Sequence, residues 1–160
     1  AFQVYKLSGV AGVRGALDVS LPRSDSKVGA GHKGIAASGD PFLTPPLAAR
    51  RRDFTLNALM LDPASGEILD AWGGRRDLEG RLLRAVDEQT FADDPLRALR
   101  AVQLAARFEL AVEPRTAELC ATMPLAELPA ERVFGELEKA LLKARRPSLG
   151  LSLRVAEPNG

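Results

Sequence analysis

The chain has 160 residues, 46% hydrophobic and 27% charged, which excludes a fibrous or disordered polypeptide and allows one compact domain or two small packed lobes. Lys and Arg total 22 against 21 for Asp and Glu, so a net charge of +1 gives no global attraction to nucleic acid, and any RNA affinity must come from local patches. One Cys and one His exclude an internal disulfide and a zinc site built from those two residues alone, which fits a reducing cytoplasm, and no apolar run is long enough to cross a bilayer.

Residues 2–7 and 16–21 read as two extended segments joined by a Gly-rich connection, a β-hairpin in which Leu17, Val19 and Leu21 share one face and Asp18 the other. The first residues already alternate like a strand and the chain opens on Ala, so further sequence is expected upstream. Residues 23–49, rich in Gly and Pro, read as a long irregular connection, with His32 in a basic loop to which no catalytic role is assigned. RRRDFTLNALML predicts a short helical turn, and DPASGE followed by ILDAW a second hairpin.

From Phe91 the pattern becomes helical. Asp94 and Pro95 make an N-cap and first-turn pair, and Leu96, Leu99, Val102 and Ala106 keep helical spacing, with Arg97, Arg100 and Arg107 off that stripe. A second helix is predicted through ERVFGELEKALLKARR, with Val133, Leu137, Leu141 and Ala144 on one side and Pro147 stopping it. The order is β-rich, then α-helical, with a lobe boundary between Gly80 and Phe91.

Three clusters can carry chemistry. In Arg50-Arg51-Arg52-Asp53-Phe54-Thr55-Leu56-Asn57, guanidiniums beside a carboxylate and an amide suit phosphate oxygens and a sugar hydroxyl. The plainer reading is a solvated basic turn before a capped helix. In Asp93-Asp94-Pro95-Leu96-Arg97, residues at N-cap and N3 are neighbours in space, so Asp94 and Arg97 can offer an acceptor beside a donor fork. Cytosine and adenine each present an exocyclic amino donor next to a ring-nitrogen acceptor, which such a pair addresses, although an ordinary capped helix start also explains it. In Asp70-Ala71-Trp72-Gly73-Gly74-Arg75-Arg76-Asp77, the glycines permit a tight reversal and the arginines can reach RNA phosphate; a plain turn linking lobes is the alternative.

LDVSLPR, RRDFTLNAL, D-x-x-GG-x-x-DL, DDPLRALRAVQLAARF and ERVFGEL, in this order, resemble the bacterial CCA-adding tRNA nucleotidyltransferase and poly(A) polymerase family from about Phe2 to Pro147. The resemblance implies an α+β fold: an incomplete nucleotidyltransferase-type mixed-sheet head over residues 1–85, then an all-helical neck and start of body over residues 86–160. It implies addition of C and/or A nucleotides to the tRNA 3′ end by metal-dependent transfer, with CTP and ATP as substrates and Mg²⁺ as cofactor, and no protein partner. It further implies that Asp18 is the third active-site carboxylate and a metal ligand, where the family usually has Glu. Arg52 falls at a nucleotide phosphate, Asp53 and Asn57 near the ribose, Asp94 and Arg97 at the base, and Arg100 at a further nucleotide contact. Arg76, Lys143, Arg145 and Arg146 are the expected RNA contacts. Asp93 stands where the family has Glu, and Gln103 stands where relatives often carry another arginine.

The family's Gly-Gly, Arg-Asp and D-x-D motifs do not occur ahead of Asp18, and one carboxylate cannot replace a metal-holding pair, so the chain alone is expected to be crippled in catalysis. Two other readings remain open: a poly(A) polymerase acting on RNA 3′ ends, and a non-catalytic RNA- or nucleotide-binding fragment.

Overall fold

A computed structural model describes residues 4–27 and 35–152; the His32 loop lies outside the described residues. The predicted first hairpin is present as β1 (Tyr5–Ser8) and β2 (Ala16–Val19), antiparallel, with Lys6 opposite Asp18. Both strands are exposed on both faces, so the alternation of Leu17 and Val19 against Asp18 buries nothing among the described residues.

The irregular connection expected over residues 23–49 is corrected. It contains an antiparallel hairpin, β3 (Arg23–Lys27) with β4 (Ile35–Gly39), followed by helix α1 (Pro45–Arg50). The strands are made of small and polar residues without apolar alternation, so sequence periodicity missed them. Pro45 fits the first turn of α1, where its missing N–H costs nothing.

The RRDFT segment is then locked between elements. Asp53 and Thr55 pair by backbone with residues 84–86, the Thr55 N–H donating to Arg84 O at 2.9 Å and the Val86 N–H to Asp53 O at 3.2 Å. Phe54, between them, is fully buried. A 3-10 turn over Thr55–Asn57 supplies the short helical turn expected here. The second predicted hairpin follows as β5 (Met60–Leu61) and β6 (Ile68–Leu69).

The tight reversal expected at Gly73-Gly74 is instead the start of helix α2 (Gly74–Glu79). Gly73 takes φ 73°, a conformation that costs a side-chain-bearing residue, and Gly74 presses on the Thr55 carbonyl. Asp70 caps the new helix, accepting from the Gly74 and Arg75 N–H groups at 2.7 and 3.1 Å.

Strand β7 (Leu82–Leu83) pairs in parallel with β8 (Ala111–Val112) across helices α3 (Glu88–Phe91) and α4 (Leu96–Phe108). The second half is therefore helical except for this two-residue strand. Helix α4 starts one residue later than expected, with Pro95 rather than Asp94 at the cap, although the Asp94 carboxylate still accepts from the Leu96 N–H at 3.1 Å. Helix ends commonly shift by such a step.

One apolar core joins the two halves: Phe54 and Leu83 pack with Phe91, Ala98, Ala101, Leu104, Leu110, Val112 and Met123. Phe54 and Phe91 meet edge to face, 5.4 Å between centroids. Helix α5 (Pro114–Ala121), unmarked by the sequence reading, closes one side of this core and is capped by Glu113, whose carboxylate accepts from the Thr116 N–H.

Helix α6 (Ala130–Leu142) lies where predicted and packs on α4, but by a different face. Glu136 and Ala140 are buried there while Leu137 and Leu141, expected on the inner side, are exposed. Pro147 does not stop this helix; α6 ends at Leu142, and Pro147 opens α7 (Pro147–Leu151), which also packs on α4.

Candidate nucleotide pocket

The junction of the RRDFT segment with the start of α4 forms an open cavity of about 280 Å³ lined by Arg51, Arg52, Asp53, Asp94, Arg97 and Arg100. Four guanidiniums against two carboxylates leave a formal charge of +2 in the lining, suited to a polyanionic ligand. The cavity is close to the lower end of small-molecule sites and is open to solvent, and Arg52 in its lining is exposed.

Asp53 is organised by its own turn. One carboxylate oxygen accepts from the Phe54 N–H at 2.8 Å and from Asn57 Nδ2 at 3.0 Å. The other accepts from Arg100 Nε at 2.7 Å and lies in ion-pair contact with Arg100 Nη2 at 2.6 Å. This places Asp53, Asn57 and Arg100, which the sequence separates by up to 47 positions, in one cluster. Asn57 reaches the cavity only through Asp53 and is not in its lining.

Arg97 is held more tightly. Nη1 donates to Thr90 O and Nη2 to Arg51 O, both at 2.6 Å, and the guanidinium lies 5.8 Å from the Phe91 ring centroid. Burial lowers its pKa, and the charges of Asp53, Asp94 and Asp93 oppose that effect. A guanidinium remains a cation under these conditions.

Asp94 faces the same cavity, and its Oδ2 accepts from Arg132 Nη2 of α6 at 2.8 Å. Glu136, one turn further along α6, lies 3.9 Å from Arg100 Nη1 and accepts from Lys139 at 2.8 Å. One face of α6 thus touches both Asp94, just ahead of α4, and Arg100 within it. Sequence reasoning missed Arg132 and Glu136 in this role, although their i, i+4 spacing within ERVFGEL puts them on one helix face. It also missed Thr90. Gln103, also on α4, is buried, and its Nε2 has no hydrogen-bond partner among the described residues.

The remaining expected site residues are not part of this cavity. Asp18 sits on β2, in register with Lys6. Arg76 extends into solvent from α2, with a loose 4.0 Å approach to Asp77. Lys143, Arg145 and Arg146 are exposed between α6 and α7. Among the described residues no three His, Cys, Asp or Glu side chains converge as a metal site, so Asp18 by itself does not fit a two-metal centre. No helix among the described residues is long and apolar enough to cross a membrane.

Residues 24–84 match the poly(A) polymerase head domain family. A multifunctional CCA protein of Stenotrophomonas maltophilia is 40% identical over 150 residues, covering 89% of this chain and 37% of that protein. One from Aromatoleum aromaticum is 40% identical over 142 residues, covering 86% of this chain and 34% of that protein. In three dimensions the chain is similar to the Bacillus stearothermophilus CCA-adding enzyme in complex with CTP, with a TM-score of 0.70 and 29% identity, over 87% of this chain and 33% of that one. It is also similar to a CCA-adding enzyme in complex with ATP, with a TM-score of 0.58 and 33% identity, over 65% of this chain and 26% of that one. The chain spans about a third of the length of the curated relatives it matches. With five motifs in family order, a matching head domain and these neighbours in sequence and structure, the chain belongs to the family of CCA-adding tRNA nucleotidyltransferases and bacterial poly(A) polymerases.

Proposed function

We propose that the full-length protein containing this chain adds C and A to the 3′ end of tRNA, and that the cavity between the RRDFT segment and α4 binds and selects the incoming nucleotide. The observation that carries this reading is the convergence of Arg52, Asp53, Asp94, Arg97 and Arg100 on one cavity, in a chain 40% identical to multifunctional CCA proteins.

The roles follow from residue chemistry. Arg52, exposed and in the lining, meets phosphate oxygens. Asp53, oriented by Asn57 and Arg100, offers an acceptor to a ribose hydroxyl, with Arg100 as a donor beside it. Asp94 accepts from the exocyclic amino group of cytosine or adenine while Arg97 donates to the adjacent ring nitrogen. Uracil and guanine present the opposite order, an oxygen acceptor next to a ring N–H, so they would set acceptor against acceptor and donor against donor.

Asp18 is proposed as the third carboxylate of a Mg²⁺ site; Mg²⁺ bound there would supply charge neutralisation for the departing pyrophosphate and activation of the RNA 3′ hydroxyl. Among the described residues Asp18 is the one ligand assigned to it, and the work assigned to the cavity residues is binding and selection. Arg76, Lys143, Arg145 and Arg146, all exposed cations, are proposed to contact tRNA phosphates. The division into a head over residues 1–85 and a neck from residue 86 belongs to the same proposal, as does a cytoplasmic location.

A poly(A) polymerase is the competing activity, favoured by the head-domain match over residues 24–84. The full-length protein should extend tRNA that ends before CCA when given CTP, ATP and Mg²⁺. Failure to extend it, with ATP added to generic RNA instead, would reverse the assignment.

A further inference from the structure

We propose that Thr90, which does not line the cavity, is a positioning residue for Arg97 and thereby sets how sharply the base is selected; this rests on the reading of Asp94 and Arg97 as the base-selecting pair.

A guanidinium is a planar fork, and fixing two of its N–H groups on separate carbonyls fixes its direction in the plane. The two carbonyls that hold Arg97 come from segments far apart in sequence, Thr90 O on α3 and Arg51 O after α1. Their separation determines where the remaining N–H groups of Arg97 point. Thr90 controls that separation directly, because its hydroxyl donates to Arg50 O at 2.9 Å, the peptide immediately before the Arg51 carbonyl. A single residue therefore supplies one of the two acceptors and tethers the segment that supplies the other.

The tether is part of a closed ring. Asp87 Oδ1 accepts from the Thr90 N–H at 2.9 Å, and Asp87 Oδ2 accepts from Arg50 Nε at 3.0 Å. Without the Thr90 hydroxyl, the two segments are held together at this point through the Arg50 side chain, by its ion pair with Asp87 and its hydrogen bond to Gln89 Oε1 at 3.2 Å. The Arg50 side chain is 41% exposed, so that pair is screened by solvent and soft. The Phe91 ring beneath Arg97 limits its height but not its rotation in the plane. Loss of the hydroxyl is thus expected to blur the direction of Arg97 while leaving its charge in place, and selection should suffer before affinity does.

The test uses the full-length protein and tRNA ending before CCA, with single-turnover incorporation of CTP, ATP, UTP and GTP measured separately. Thr90→Val keeps the branched shape and removes the hydroxyl; it should lower the preference for CTP over UTP about fivefold, the factor associated with one lost hydrogen bond, with nucleotide affinity changed less than twofold. Thr90→Ser, which restores the hydroxyl, should recover most of that preference. Arg50→Gln breaks the ring from its exposed side and should move the preference in the same direction by about twofold. Equal slowing of all four nucleotides by Thr90→Val, with preference intact and only the melting temperature lowered, would overturn the proposal, as would an unchanged preference in both variants. Arg97→Ala separates the two levels: if it reduces the preference and the Thr90 and Arg50 variants do not, only the role of Thr90 fails. If Arg97→Ala itself leaves the preference intact, the base-selecting reading fails and this proposal with it.

Discussion

Arg132 on α6 donates to Asp94 at 2.8 Å, and with side chains only 24% and 18% exposed the pair is largely shielded from water. Removing one partner of such a pair leaves the other charged, partly buried and short of a hydrogen bond. Arg132→Met should therefore destabilise the protein by about 2 kcal/mol and weaken selection of CTP and ATP. A double-mutant cycle with Asp94→Asn in urea denaturation checks it: the two changes should be strongly non-additive, and additive losses would show that the contact carries no coupling.

Residues that read the base and residues that hold phosphate should part company in kinetics. Asp94→Ala or Arg97→Ala should reduce discrimination among CTP, ATP, UTP and GTP more than it reduces RNA binding. Arg52→Ala should weaken all four nucleotides alike, by roughly tenfold for one charge-assisted contact, because phosphate contacts carry no base information. Incorporation ratios with each nucleotide, measured for the three variants, distinguish the two patterns.

The split between what the sequence disclosed and what it hid follows the range of the interactions. Helix α4 was legible because spacing, an Asp-Pro start and Gly-free propensity all act within a few residues. The cavity was legible in its membership, since RRDFT and DDPLR each carry their chemistry locally, but not in its wiring. That Arg100 would bind Asp53, 47 positions away, depends on how α4 lies against the RRDFT segment, and that Arg132 would reach back to Asp94 depends on how α6 crosses α4. The same crossing explains the misjudged face of α6: a stripe of leucines suggested burial, while the contact with α4 is made through Arg132, Glu136 and Ala140. The β3–β4 hairpin escaped notice because its ladder is made by backbone groups that carry no side-chain signature.

The two neighbouring glycines of α2 make different demands. A methyl group on Gly74 would lie 2.9 Å from the Thr55 carbonyl carbon and 3.1 Å from Leu59 Cγ, closer than such atoms can pack. Thr55 cannot retreat, because its N–H is bound to Arg84 O and its hydroxyl to buried Asp77 at 2.8 Å. Gly74→Ala should cost about 3 kcal/mol and disturb Asp53 two residues before Thr55, whereas a methyl on Gly73 meets only Arg76 Nη2, at an ordinary 3.9 Å, and costs about 1 kcal/mol for its positive φ. Thermal melting of the two variants ranks them.

Acid should open the ring around Thr90. Burial would raise the Asp87 pKa, but hydrogen bonds from the Thr90 N–H and Arg50, with the Arg50 charge, outweigh it and hold the carboxyl below its ordinary value. A carboxylate with a lower pKa in the folded than in the unfolded chain stabilises the fold above the unfolded value of about 3.9, and that stabilisation is lost as pH falls through the folded pKa. Asp87→Asn cannot titrate, so the stability difference between parent and variant should be constant from pH 7 down to about 5 and shrink below about 4. Urea denaturation at pH 7, 5 and 3 measures it; a difference that stays constant to pH 3 would mean that the carboxylate of Asp87 is not what the ring depends on.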